Sequence, residues 1–202
     1  MSRKFLFLLL FSLVCLYPFK EFSQVYRSKV THRDEVGGGF VVAMSGIGLG
    51  GFFRKAIFGY SYIGANANFF LMRDDKEFEY IDPITGFPAQ ANKINRLYYI
   101  PLNLELKKRL FTNSIEDNFR PHFTLQGGII YGMNFPKEEA LENQFEYGYN
   151  LLFGFGVDFR SNDNAFFSIR PQFRVINFNN PIAGYKDHST FEIQVEIGGR
   201  LQ

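Results

Sequence analysis

Along "FEYGYNLLFGFGVDF", residues 145–159, every odd position carries a large apolar side chain: Phe145, Tyr147, Tyr149, Leu151, Phe153, Phe155, Val157 and Phe159. The even positions are Glu146, Gly148, Asn150, Leu152, Gly154, Gly156 and Asp158, mostly small or polar. A period of two is strand geometry, in which successive side chains point to opposite faces. The alternation recurs over residues 96–110, where Tyr98, Ile100, Leu102, Leu104 and Leu106 oppose Pro101, Asn103, Glu105, Lys107 and Arg109. Over 120–134, Phe123, Leu125, Ile129, Tyr131 and Met133 oppose His122, Thr124, Gln126, Gly128 and Asn134. Over 166–175, Phe167, Ile169, Phe173 and Val175 oppose Ser168, Arg170, Gln172 and Arg174. In the tail, Phe191, Ile193, Val195 and Ile197 oppose Glu192, Gln194, Glu196 and Arg200, and a weaker alternation runs through 60–72.

Most of these runs exceed a dozen residues. Soluble strands average about five or six, whereas a strand crossing a bilayer needs about 9–11 with its ends free to project into water. The connectors alternate as well. "RKAI" (54–57) and "SNDN" (161–164) read as tight turns, 112–118 as intermediate, and 73–95, 136–144 and 179–188 as longer polar loops. Short turns at one rim and long loops at the other describe an all-β, up-and-down antiparallel transmembrane barrel. Six strands are clear from the C-terminus backwards, and an even count of eight closes the barrel with both termini on the periplasmic side. The first two have two solutions. Residues 35–53 form a hairpin near Gly46, or they form one Gly-bent strand preceded by 24–30. The second is the expected arrangement.

The N-terminus is of another kind. Ser2-Arg3-Lys4 precedes a 15-residue apolar run, "FLFLLLFSLVCLYPF". That suits a secretory signal, and it is short of the roughly 20 residues of a transmembrane helix. Residues 1–23 are expected to be a signal peptide cleaved after Ser23, leaving 24–202 as the barrel domain. The single cysteine, Cys15, goes with the signal. No small residue precedes it as lipid modification requires, and no thiol chemistry or disulfide remains in the mature chain.

Composition adds little beyond this. Phe and Tyr number 26 and 11 with no Trp, which suits a pleated surface. Without the signal, basic and acidic groups are equal in number, so no nucleic-acid partner is expected. If the apolar faces meet lipid, the polar faces line a lumen that side chains fill in an eight-stranded barrel. Inward candidates are Asn66, Asn68, Glu105, Lys107, Arg109, His122, Gln126, Glu146, Asp158, Arg170, Arg174, Glu192, Glu196 and Arg200. A hairpin around 179–188 directs Arg174 towards Glu192 and Arg170 towards Glu196. Such pairs must be mutually satisfied, because an unpaired buried charge costs several kcal/mol.

Candidate chemistry is sparse. Of His32, His122 and His188, the second lies within a clear strand, with Arg109 rather than a carboxylate as its expected neighbour. His188-Ser189 reads as a turn. The acidic stretch with Asp74, Asp75, Glu77, Glu79 and Asp82 does not match a calcium loop, and "GIGLGG" (46–51) lacks the helix of a nucleotide fingerprint. No cofactor, metal site or catalytic set is expected. A soluble lipocalin-like barrel is the structural rival, with every face reversed.

Ile100-Pro101-Leu102, Gly127-Gly128, Gly154-Phe155-Gly156 and Gly198-Gly199 carry a resemblance. From about residue 96 to 201 the chain resembles the small PorT-like outer-membrane β-barrel domains of Gram-negative bacteria. The resemblance implies location and fold, an outer-membrane barrel. The expected role is structural, or a surface contact through the 73–95 loop, with outer-membrane lipid and lipopolysaccharide around the barrel. The family name adds an accessory part in an envelope secretion machine, with a protein partner. Lipid A-modifying enzymes on small barrels supply the alternative from a different class.

Overall fold

The computed structural model describes residues 32–73, 78–81, 83–84, 86–91, 95–112, 115, 119–137, 141–160 and 165–201. They form eleven strands: β1 (Glu35–Ala43), β2 (Gly46–Ile57), β3 (Ser61–Met72), β4 (Phe78–Ile81), β5 (Pro88–Ala91), β6 (Leu97–Arg109), β7 (Phe119–Asn134), β8 (Gln144–Arg160), β9 (Ala165–Ile182), β10 (Tyr185–Asp187) and β11 (Thr190–Arg200). Eight of them pair antiparallel in the order β1-β2-β3-β6-β7-β8-β9-β11. The sheet closes where β11 returns to β1, from Glu35 opposite Arg200 to Ala43 opposite Glu192. Closure leaves the barrel wall without an unpaired edge, the condition for strands to cross a bilayer.

The long alternating runs of the sequence are the strands of this barrel. Four details differ. The Gly-rich segment is a hairpin that turns at Met44-Ser45, with Ala43 opposite Gly46, not one bent strand. The alternative first strand at 24–30, like the signal segment, lies outside the described residues. Arg54–Ile57 is not a turn but the end of β2, and the chain reverses at Phe58-Gly59-Tyr60, where Gly59 and Tyr60 both have positive φ. The connector at 73–95 carries a small hairpin of its own, β4 on β5. β9 continues seven residues past Val175 to Ile182.

The wall has an apolar outside. Leu104 is 71% exposed, Ile129 60%, Leu151 51% and Phe155 50%, on three adjoining strands. Inward neighbours on the same strands, including Glu105, His122, Asn150 and Asp158, are buried. This sense of the faces rules out the lipocalin-like arrangement, which needs polar groups outside.

Close inward packing demands glycine at particular points. A Cβ on Gly128 would stand 1.9 Å from the Leu102 carbonyl oxygen and 2.8 Å from Asn103 Cα. On the outer wall, a Cβ on Gly51 would meet nothing nearer than the Gly37 carbonyl oxygen at 3.5 Å. Gly128→Ala is therefore expected to lose about 1–3 kcal/mol, the usual cost of overpacking, while Gly51→Ala stays close to wild type. Equilibrium unfolding of the two variants in the same detergent checks the contrast.

Candidate functional site: the barrel interior

The lumen is built in three tiers. Next to the short-turn rim, aromatic rings stand under cations: the Arg54 guanidinium lies 3.9 Å from the Phe52 ring, Arg109 5.0 Å from Tyr62, and Lys107 5.2 Å from Phe166. His32 packs edge-on against Tyr60 and Tyr62 at this rim and donates Nε2 to the Ile57 carbonyl.

The second tier is a network of charges. Glu35 and Arg54 are opposite in register, and Gly64 separates Arg54 from Glu105. With no side chain on Gly64 to block the reach, Arg54 Nε donates to Glu105 at 2.8 Å, while Nη2 donates to Glu196 at 2.7 Å. Lys107 Nζ lies 3.3 Å from Glu35 and 2.8 Å from Asp158. Arg109 Nη2 sits 2.6 Å from Glu35 and 3.2 Å from Asp158. Arg170 Nη2 reaches Glu196 at 3.0 Å and Gln194 at 2.8 Å, and its Nη1 donates to Thr124. Arg174 meets Glu192 at 2.7 Å and donates to Asn150 at 2.9 Å. Gln172 donates to Glu192 and Gln194, which ties that pair to the rest. Asn66 donates to Glu105 and accepts from Asn68 and Asn103; Asn103 also reaches Gln126. Among the described residues, at least five carboxylates and five cations thus share one buried network. Interlocking is what makes it tolerable, because each removed hydration shell is replaced by several charge-assisted hydrogen bonds.

The third tier, toward the long-loop rim, is apolar. Val41, Phe70, Met72, Leu97, Tyr99, Ile130, Ile176, Phe178 and Ile182 form one buried cluster on inward positions. His188 caps it. Its Nε2 faces the carbonyls of Ile182 and Tyr185 at 3.2 Å, so that nitrogen carries the hydrogen and Nδ1 accepts from the Tyr99 hydroxyl at 2.9 Å. Ser189 donates to Asp187 rather than to His188 and holds that exposed carboxyl below its ordinary range, through the hydroxyl first and the amide second.

Glu105, Lys107, Arg109, Arg170, Arg174, Glu192 and Glu196 all lie inside this network. Two of its charged members, Glu35 and Arg54, are not among the sequence candidates. His122 faces inward and is fully buried, with a neighbour other than the expected one. Arg109 is opposite it along the backbone, while the side chain turns Nδ1 to 3.3 Å from Asp158, a carboxylate. Glu146 stands half-buried at the long-loop rim and accepts from Asn180. Arg200 is buried opposite Glu35. "GIGLGG" is the start of β2, paired on both sides. The side chains of Asp74, Asp75, Glu77, Glu79 and Asp82 lie outside the described residues. Among those described, no group of three or more His, Cys, Asp or Glu is arranged to hold a metal ion.

No protein-family model matches the sequence, and no curated protein matches it. Solved structures do share the fold. Neisserial surface protein A is 7% identical, covering 83% of this chain and 96% of its own, with a TM-score of 0.58. A major outer membrane protein of Thermus thermophilus is 11% identical, covering 84% and 98%, with a TM-score of 0.52. At such identities the likeness is one of fold. A closed antiparallel barrel of eight strands with an apolar outer band belongs in a bacterial outer membrane.

Proposed function

We propose that this protein is a non-conducting, non-catalytic outer-membrane barrel of PorT-like type, exported by a signal at residues 1–23 and acting structurally or through contacts at its long-loop rim. Outer-membrane lipid and lipopolysaccharide are its surroundings. One observation carries the reading: the charged network and the apolar cluster stack on one another along the barrel axis, so a solute would have to part ion pairs and then an apolar stopper. The same packing argues against the lipid-modifying alternative. His122 and Asp158 are 0% and 1% exposed and sit within the network, where no substrate carbonyl can approach.

Purified protein reconstituted in a planar bilayer should give no stepwise ion conductance. Regular single-channel steps would sink the closed-lumen reading. In cells, a His122→Ala variant should leave lipid A composition unchanged, as measured by mass spectrometry of extracted lipid A; an altered acylation pattern would favour the enzyme instead.

A further inference from the structure

The outer wall is not uniform. Across β2, β3, β6 and β7 it carries a shallow, open groove of about 590 Å³, lined by the small residues Gly51, Ala65, Ala67 and Gly127 together with Leu104 and Ile129. Glycine is not imposed at Gly51 by its neighbours, since a Cβ there would find ordinary contact only. Above the groove, Tyr98 continues the outward side of β6, and Arg96 lies just before the strand begins. Tyr98 stacks on Phe69 at 5.9 Å between centroids and meets Phe135 at 5.8 Å. The Phe135 amide donates to the Arg96 carbonyl, and exposed Lys137 follows two residues later, in the bend just beyond the end of β7, at the same rim as exposed Arg96. Neither cation has a carboxylate partner among the described residues. On β9 the outward positions near the same rim are Asn177 and Asn179 instead of aromatic residues, which confines the feature to one arc of the barrel.

We propose that this column is a binding track for one phosphorylated glycolipid of the outer leaflet, lipid A, with phosphate on Arg96 and Lys137, sugar against Tyr98 and Phe135, and one acyl chain in the groove. The inference rests on the outer-membrane reading and adds the face and the residues. The spacing fits: six residues from Arg96 to Leu102 span roughly 20 Å of strand, which a tilt of about 40° reduces to some 15 Å of depth, near the middle of the apolar band. An acyl chain hung from a phosphate at the rim ends there. Exposed cations at the headgroup level complement phosphate, and the rings are amphipathic groups suited to that interface. A second copy of the barrel is the poorer occupant. A two-fold contact through this arc places the same patch on itself, bringing Arg96 and Lys137 against their own symmetry mates.

The test is native mass spectrometry of the folded full-length mature protein in mild detergent, offered bisphosphorylated lipid A, its dephosphorylated form, or phosphatidylcholine. The wild type should retain one lipid A and discriminate against the other two. Arg96→Glu with Lys137→Glu should lower retention roughly tenfold or more, the scale of losing charge-assisted phosphate contacts. Gly51→Leu, which fills the groove without touching the cations, should lower it as well, while Lys186→Glu on the β10 side should not. Equal retention by all variants, or no preference for phosphate, overturns the track. So does a wild-type dimer that Gly51→Leu converts to monomer, which would assign the groove to a second copy. A folded, heat-modifiable barrel that retains no lipid A removes the track and leaves the outer-membrane reading standing, whereas a chain that stays folded without detergent removes both.

Discussion

Glu192→Leu is expected to destabilise the barrel by about 3–5 kcal/mol, the scale for stranding one member of a buried ion pair. Glu192 is 0% exposed and Arg174 1%, and among the described residues Glu192 is the carboxylate that answers Arg174. Removing it leaves a guanidinium held between Asn150, which accepts one hydrogen bond, and the Phe70 ring 5.2 Å away, with no counter-charge. Gln172, which donates to Glu192, loses an acceptor at the same time. The double variant Arg174→Met, Glu192→Leu should behave very differently. It removes both charges at the boundary where the network meets the apolar cluster of Phe70, Ile130 and Ile176, so the new side chains extend a surface that is already apolar. Replacing a whole buried pair by apolar groups of similar volume is commonly neutral or stabilising, and the double variant should lie within about 1 kcal/mol of wild type. Equilibrium denaturant unfolding in phospholipid vesicles, extrapolated linearly, measures all three proteins. A single variant no worse than the double one would mean that the pair is solvated and the interior is not a sealed network.

How far the sequence shows this structure depends on where lipid acts. Between the rims, hydrocarbon enforces apolar-out and the lumen accepts polar groups, so β6, β7, β8 and β11 appear in the sequence as a clear alternation, interrupted at inward Ile130 and Leu152. The β1–β2 hairpin hides because seven glycines at 37–39, 46, 48, 50 and 51 carry no side chain with which to display a period. Arg54 resembles a turn residue because charges ordinarily mark loops; inside a barrel a charge near a strand end can instead face the lumen. β9 extends further than its alternation suggests because the sense of the faces reverses near the long-loop rim. Even positions of β9 stay inward from Phe166 to Phe178, but at Ile176 and Phe178 they are apolar while outward Asn177 is polar, where the wall leaves lipid. That same reversal conceals the apolar tier, whose residues occupy the positions that the alternation assigns to polar groups. His122 meeting Asp158 is a diagonal contact: their strands pair His122 with Gly156 and Arg120 with Asp158, and no spacing within one strand reports it.

Leu151→Arg should cost about 2–4 kcal/mol, and Phe159→Arg about 0–1 kcal/mol, because the price of a cation on a barrel's lipid face depends on its depth. Both residues point outward on β8, which runs from Gln144 to Arg160, so Leu151 lies at mid-strand and Phe159 one residue from the short-turn end. From the end, an arginine extends its stem along the wall and puts its guanidinium into the headgroup region. From the middle, half the apolar band separates it from water in either direction. Its immediate cross-strand neighbours are Gly127 and Val175, which offer neither a carboxylate nor a side-chain acceptor. A difference of about 2 kcal/mol or more between the two variants, roughly thirtyfold in the folding equilibrium, is the signature of hydrocarbon against this wall. Were water there instead, both substitutions would be exposed surface changes, and each would fall within about 0.5 kcal/mol of wild type. The comparison holds charge, strand and side-chain type constant and varies depth alone, so it reads the solvent outside the barrel directly.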